Sequence, residues 1–274
     1  MKRYRVLPLD FDTRANILIQ KIGENWEPDV KKQWENNKRL IKERLIAEFG
    51  ALNAYQKIQN FTDLGPYPLS IIAFHNKFLH QARYAFVISS YYPALTAACS
   101  LGERILNHLI LALREDHRKT PEYKKVYRKD SFDNWDLAID TLESWGVLLK
   151  KPASLFRELR DIRIESIHFR PEVDTNDRGL ALSAINKLIE IISKQFSGFG
   201  PQPWFITKVP GECYIKKSWE LNPFIKKIYL PSCVYVGPKH KIVSLSPQIK
   251  IDDDFEYEDK EISDNKFVTL RNSQ

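Results

Sequence analysis

The segment GFGPQP, residues 198 to 203, divides the chain into two stretches with different hydrophobic rhythms, so no single structural period serves both. Before it, apolar residues recur at three- and four-residue spacing. Val30, Trp34, Leu40, Ile41, Leu45 and Phe49 form the first such series, opened by Pro28 after Glu27. The spacing predicts further helices over about 69–90, 93–117, 132–147, 153–169 and 178–197, separated by Tyr91-Tyr92-Pro93, Gly146 and Lys151-Pro152. After it, WFITKV, FIKKIYL, CVYVG and HKIVSL are short, rich in β-branched and aromatic residues, and spaced by PGE, NP, PS and GPK turns. That pattern predicts a small antiparallel sheet. The expected fold is mainly α, α+β overall: an all-α domain over 1–198, a β appendage over 199–251, and an acidic, flexible tail over 252–274 that frays or docks on the basic body.

A chain of 274 residues with 43% hydrophobic content can bury a sizeable core. Lys and Arg number 42 against 35 Asp and Glu, and DDDFEYEDKE, residues 252 to 261, holds seven of those acids against one lysine. Elsewhere 41 bases face 28 acids, about +13, which favours a polyanionic partner through phosphate neutralisation. Cys99, Cys213 and Cys233 lie in apolar surroundings at unrelated spacings, as in a reducing cytosol, and suggest neither a disulfide framework nor a zinc cluster. The basic start MKRYRVLPLDFDTR lacks the apolar region of a signal peptide, and no run approaches the ~20 apolar residues of a membrane helix. The expectation is a cytoplasmic chain without a membrane partner.

The stretch RELRDIRIESIHFRPE, residues 157 to 172, carries the candidate chemistry. A basic surface uses Arg157, Arg160, Arg163 and Arg170 but has no need of His168. Leu155, Leu159, Ile162 and Ile167 form the expected buried stripe of this helix. Five residues at about 100° each set Arg163 and His168 roughly 140° apart on an ideal helix. A helix bend, or a second copy across a two-fold axis, is then required to bring both into one cleft. The same histidine also suits a plain role at a helix end, where a cation complements the dipole. KTPEYKKVYRK, residues 119 to 129, interleaves Tyr123 and Tyr127 with Lys124, Lys125, Arg128 and Lys129, as a surface that stacks bases and neutralises phosphates does. An ordinary solvated helix has the same composition.

Together these stretches resemble the HEPN superfamily of helical domains, many of them RNA-cleaving toxins or antiviral effectors marked by Arg-x4-6-His. Arg163-Ile-Glu-Ser-Ile-His168 matches that motif. YYPALTAACSLGERILNHLILAL, 91 to 113, is similar to the family's early helix, with Glu103 as its acid, and SFDNWDLAIDTLESWGVL, 131 to 148, to the next. The resemblance covers about 69–197 and implies a HEPN-like bundle with an N-terminal helical extension. Ile164 stands where active members often carry a polar residue, and Arg170 stands where one subgroup carries tyrosine.

What the resemblance implies is a homodimeric, metal-independent endoribonuclease without cofactors, acting on RNA as a toxin or defence effector beside an antitoxin or defence-system protein. A histidine titrating near neutrality exchanges the proton of an attacking 2′-hydroxyl, and an arginine offsets the charge developing on the phosphate. Glu103 and Ser166 are the supporting candidates, and Arg160, Arg170 and the 119–129 segment the RNA-binding ones. The alternative is a catalytically silent HEPN-like module that binds RNA or protein. His75 and His80, five apart, do not share a helix face as zinc ligands do, and no Gly-rich phosphate loop or G-x-S-x-G elbow occurs.

Overall fold

The computed structural model describes residues 1–7, 10–167, 176–245 and 248–274, without the side chains of 73, 74 and 167. The chain divides into two compact units, one of Asp10–Gln195 and one joining Met1–Leu9 to Phe196–Gln274. It is mainly helical with a small antiparallel sheet region, α+β overall.

The first unit runs α1 (Arg14–Ile19), α2 (Pro28–Phe49), α3 (Ala54–Asp63), α4 (Ala73–Val87), α5 (Tyr91–Leu113), the single turn α6 (Tyr123–Val126), α7 (Trp135–Ser144), α8 (Lys150–Ile167) and α9 (Asp177–Gln195). Pro28 opens α2, where its fixed φ costs no hydrogen bond. Helices α1 and α3, unmarked in the sequence by a proline or a side-chain cap, are two that the periodicity did not predict. The apolar stripe of α5 is its centre, with α4, α7, α8 and α9 packed around it. Leu155, Phe156 and Leu159 of α8 and Ile185, Leu188 and Ile191 of α9 are almost fully buried beside it.

Helix α7 shows how local chemistry sets an orientation. The Asn134 side chain caps its start by accepting from the Leu137 amide at 3.0 Å. Its end is a Schellman turn: Gly146, at φ +67°, donates to Glu143 O, and Val147 donates to Leu142 O, both at 2.9 Å. The preceding loop is pinned by Asn107 of α5, whose amide accepts from Phe132 N at 2.7 Å and donates to Phe132 O at 3.0 Å. Trp135 is thereby fixed against α5.

The second unit differs from the expectation in three ways. Its sheet is completed by the N-terminus: β1 (Arg3–Val6) lies between β3 (Tyr214–Ile215) and β4 (Cys233–Val236), with β2 (Phe205–Ile206) outside β3, all antiparallel. A separate hairpin pairs β5 (Lys241–Ser244) with β6 (Lys250–Asp252). FIKKIYL is not a strand but a helical turn over Ile225–Tyr229, started by Asn222 Oδ1, which accepts from Phe224 N and Ile225 N. Nor is the stretch from 252 onward a loose tail. It ends in α10 (Asp264–Asn272), capped by Ser263 and anchored by fully buried Phe267.

Three of its acids are also paired. Arg3, fully buried, meets Glu261 and Asp264 at 2.8 Å, and Lys2 meets Asp253 at 2.8 Å. Among the described residues no helix is long and apolar enough to cross a membrane. Cys99, Cys213 and Cys233 are free thiols.

Candidate functional site

The solvent-facing side of α5 carries Glu103, and the helices on its flank bring two more residues to that carboxylate. Trp135 Nε1 donates to Glu103 Oε2 at 3.1 Å, and Arg163 Nη2 of α8 lies 3.3 Å from the same oxygen. The Arg163 guanidinium sits 6.0 Å from the centroid of the Trp135 ring, within the range of a cation–π contact. Trp135 itself is braced edge-on by Phe156 and is 2% exposed, whereas Arg163 and Glu103 keep about 30% of their side-chain surface. One turn earlier on α5, burial pushes the Cys99 thiol up to about 12, with the nearby Arg163 charge acting against the rise. A thiol in that state is not a nucleophile near neutrality.

Of the sequence-predicted residues, Arg163 and Glu103 are therefore brought together. His168 and Arg170 lie outside the described residues. Ser166 is not an exposed hydroxyl available to a phosphate: it is 7% exposed and its Oγ donates back to Ile162 O at 2.6 Å. A serine one turn from a helix carbonyl satisfies itself in this way.

The other arginines of α8 are held by acids. Arg160 bonds Asp136 of α7 and, at 2.7 Å, Asp161; Arg157 bonds Asp140 at 2.7 Å and Glu143 at 2.6 Å. These partners raise both guanidinium pKa values further, the Glu143 bond most for Arg157 and the Asp161 bond most for Arg160. Ile164 is 42% exposed.

The 119–129 segment is only one turn of helix, Tyr123–Val126. The rings of Tyr123 and Tyr127 stack with centroids 5.5 Å apart, Arg128 lies over Tyr127 at 5.0 Å, and Lys124 and Lys125 are exposed. Val126 is buried, and Arg114 ties the turn to the end of α5 through Val126 O and Lys129 O. About ten residues of α5, roughly 15 Å of helix, separate that end from Glu103.

Sequence reasoning did not single out Trp135 or the pair of His75 and His108. The capped start Asn134-Trp135 was the available signal for the first. The second has none, because α4 and α5 are joined by packing. The His75 and His108 rings meet edge-on at 5.1 Å, and burial, with His108 and Arg104 nearby, holds His75 down at about 4. Compared with known proteins, the chain matches no family model, no curated protein and no solved structure.

Proposed function

We propose that the protein is a metal-independent endoribonuclease of HEPN type, acting as a toxin or antiviral defence effector in the cytoplasm. The observation that carries the reading is the placement of Arg163 late on α8, oriented by Glu103 and Trp135 and still about a third exposed. An arginine so held presents its remaining N–H groups to solvent, where a phosphate can take them. His168, five residues on, supplies the group that accepts the 2′-hydroxyl proton and returns one to the leaving 5′-oxygen. Two copies related by a two-fold axis give the site both residues, which one straight helix does not aim together. The products are a 2′,3′-cyclic phosphate and a 5′-hydroxyl, and DNA is not cut.

One observation favours a second reading, a catalytically silent module that binds RNA or a protein. Arg157, Arg160 and Arg163 all face carboxylates, so much of the positive charge on α8 is neutralised within the chain. The two readings separate when RNA is incubated with wild type, Arg163→Ala and His168→Ala in EDTA. The nuclease reading expects cyclic-phosphate ends from wild type and a loss of about 10²- to 10⁴-fold in each variant. RNA bound but uncut by wild type would leave the silent module.

A further inference from the structure

The helical unit carries an open cavity of about 270 Å³ that involves neither Arg163 nor Glu103. Its walls come from the Asp12–Arg14 segment, the end of α2, and α3 and α4. Four aromatic rings, Phe49, Phe61, Tyr67 and Tyr84, supply most of the apolar lining. Phe49 is the central one, 5.3 Å from Tyr84 and 6.4 Å from Phe61. Tyr67 is locked in the wall, with His80 stacked on it at 4.3 Å and the Arg83 guanidinium 5.9 Å from its centroid.

Charge narrows what such a cavity accepts. Two guanidiniums, Arg14 and Arg83, face two carboxylates, Asp12 and Glu48, so these four groups sum to zero. Arg14 is forked onto Asp12 at 2.7 to 3.1 Å and reaches Glu48 at 2.8 Å. Arg83, 6% exposed, gives its two terminal nitrogens to the carbonyls of Leu64 and Gly65 at 3.3 and 2.7 Å. Most of the N–H groups of these cations are already engaged and their charge is offset by Asp12 and Glu48, which disfavours a phosphate, and a cationic ligand would find Asp12 taken. The Gln81 amide, the Tyr84 hydroxyl, one oxygen of Glu48 and the second ring nitrogen of His80, whose Nε2 faces Asp10, stand at the same lining beside them. These are donors and acceptors at the rim of an aromatic-lined slot.

We infer that this cavity binds one unpaired nucleobase, an uncharged planar ring seated against Phe49 and Tyr84 with its polar edge toward Gln81 and Glu48. The volume lies just under the ~300–1,000 Å³ of pockets that enclose drug-sized ligands, which suits a single ring system rather than a dinucleotide. Stacking on aromatic side chains, with hydrogen bonds at the base edge, is how proteins hold such rings. The base can arrive as a free nucleoside or as a splayed base of an RNA strand. Recognition does not pass through Arg163 or His168, so it holds whether or not the chain cuts RNA.

The test is equilibrium binding of the full chain to adenosine, guanosine, cytidine and uridine, to their 5′-monophosphates, to ribose 5-phosphate, and to single-stranded oligoribonucleotides with and without an abasic position. The expected result is that one or more nucleosides bind, the monophosphate binds no tighter, and ribose 5-phosphate does not compete. Tyr84→Ala, at a residue 47% exposed, weakens binding about tenfold or more, while Tyr84→Phe keeps most of it and Gln81→Ala alters the order of preference among bases. Arg163→Ala leaves nucleoside affinity unchanged, which separates the cavity from the nuclease reading. Binding of the oligonucleotide alone, lost with the abasic strand and with Tyr84→Ala, assigns the base to an RNA strand. The inference is overturned if no nucleoside or oligonucleotide binding responds to Tyr84→Ala, or if ribose 5-phosphate competes as well as the monophosphate.

Discussion

Glu103 and Arg163 meet at 3.3 Å on the flank of α5, and the carboxylate oxygen that receives the arginine also receives the Trp135 indole. One oxygen therefore couples three helices. The pair is too exposed to matter much for folding, since both side chains keep about 30% of their surface and such pairs contribute only ~0–1 kcal/mol. Its consequence is electrostatic: the carboxylate occupies the guanidinium and offsets its charge where a phosphate would sit.

Glu103→Gln should then leave the fold intact, because a glutamine carbonyl still accepts from Trp135. It should bind single-stranded RNA more tightly than wild type. With one more phosphate neutralised, the slope of log K against log salt should steepen by roughly 0.7. Filter binding at several salt concentrations reads both; an unchanged slope would mean that RNA does not approach Arg163.

Gly102, next to Glu103 on α5, predicts the opposite balance of fold and site. A methyl group there would lie 2.8 Å from both Leu159 Cδ2 and the outer carbon of the Trp135 ring. Alanine at a mid-helix glycine normally gains about 1 kcal/mol. Here overpacking against a ring braced by Phe156 should cost about 1–3 kcal/mol and reverse that gain. The measurement is the urea midpoint of Gly102→Ala at unchanged m, with Trp135 displaced from Glu103.

How legible these features were depends on whether a signal was local. The start of α2 at Pro28, the buried stripe of Leu155, Leu159 and Ile162 on α8, and the Gly146 stop of α7 all rest on chemistry within a few residues, and all read correctly from sequence. FIKKIYL carried a local signal that its β-branched and aromatic content masked: Phe224 with Ile225 and Ile228 with Tyr229 are apolar pairs four apart, a helical interval, behind the capping Asn222. RYRV at the N-terminus gives no strand signal because its alternation places arginines, not apolar residues, on the buried side. Arg3 and Arg5 tolerate that only because Glu261, Asp264 and Glu212 arrive from more than 200 residues away. For the same reason the acidic stretch looked like a solvated tail, and the charge excess outside it overstated the free positive surface. At the candidate site, Glu103 and Arg163 were named from sequence, but their meeting, and Trp135 between them, follows from helix packing.

His75 makes stability depend on pH. Burial, reinforced by His108 and Arg104, holds its folded-state value at about 4, below the 6.5 of an unperturbed histidine. The folded chain therefore keeps the ring neutral where the unfolded chain protonates it. The stabilisation is fully present above about pH 6.5 and is lost as pH falls toward about 4, by linkage on the order of 1–2 kcal/mol by pH 5. Hydrogen exchange across α4 and α5, compared at pH 7.5 and 5.0, should show this loss in wild type and a flatter response in His75→Gln. Equal pH responses in the two would remove His75 from the account.

Glu212 should be the most sensitive charged residue of the sheet unit. Its carboxylate takes Arg271 at 2.6 and 2.7 Å and Arg5 at 3.0 Å, and it also accepts from the Tyr214 hydroxyl. Arg5 in turn bonds His240 Nε2 at 2.6 Å, while His240 Nδ1 lies 2.8 Å from Gly237 O. The ring nitrogen facing Arg5 must accept, so His240 is neutral there, and burial, with Arg271 and Arg5 nearby, lowers its pKa. Burial alone would raise Glu212, but the bonds from Arg271 and Tyr214 and the charge of Arg5 outweigh it and hold the carboxyl below its ordinary value. Glu212→Ala leaves two guanidiniums close together with no acid between them. The loss should be on the order of 2 kcal/mol, short of the ~3–5 of a fully buried pair because the Glu212 and Arg271 side chains keep 14% of their surface. Glu212→Gln, which keeps the hydrogen bonds without the charge, should fall between. Both titrations have the same sign: His240 withdraws stability as pH falls below about 6.5, and Glu212 as pH falls below about 4.5 toward its lowered folded value. Arg271 anchors α10 through Glu212 and the carbonyls of Pro238 and His240, so α10 should open first. Peptide-resolved hydrogen exchange should show α10 and β1 losing protection together in Glu212→Ala while α5 and α9 keep theirs; protection retained in α10 would show that Phe267, and not the charge cluster, holds it.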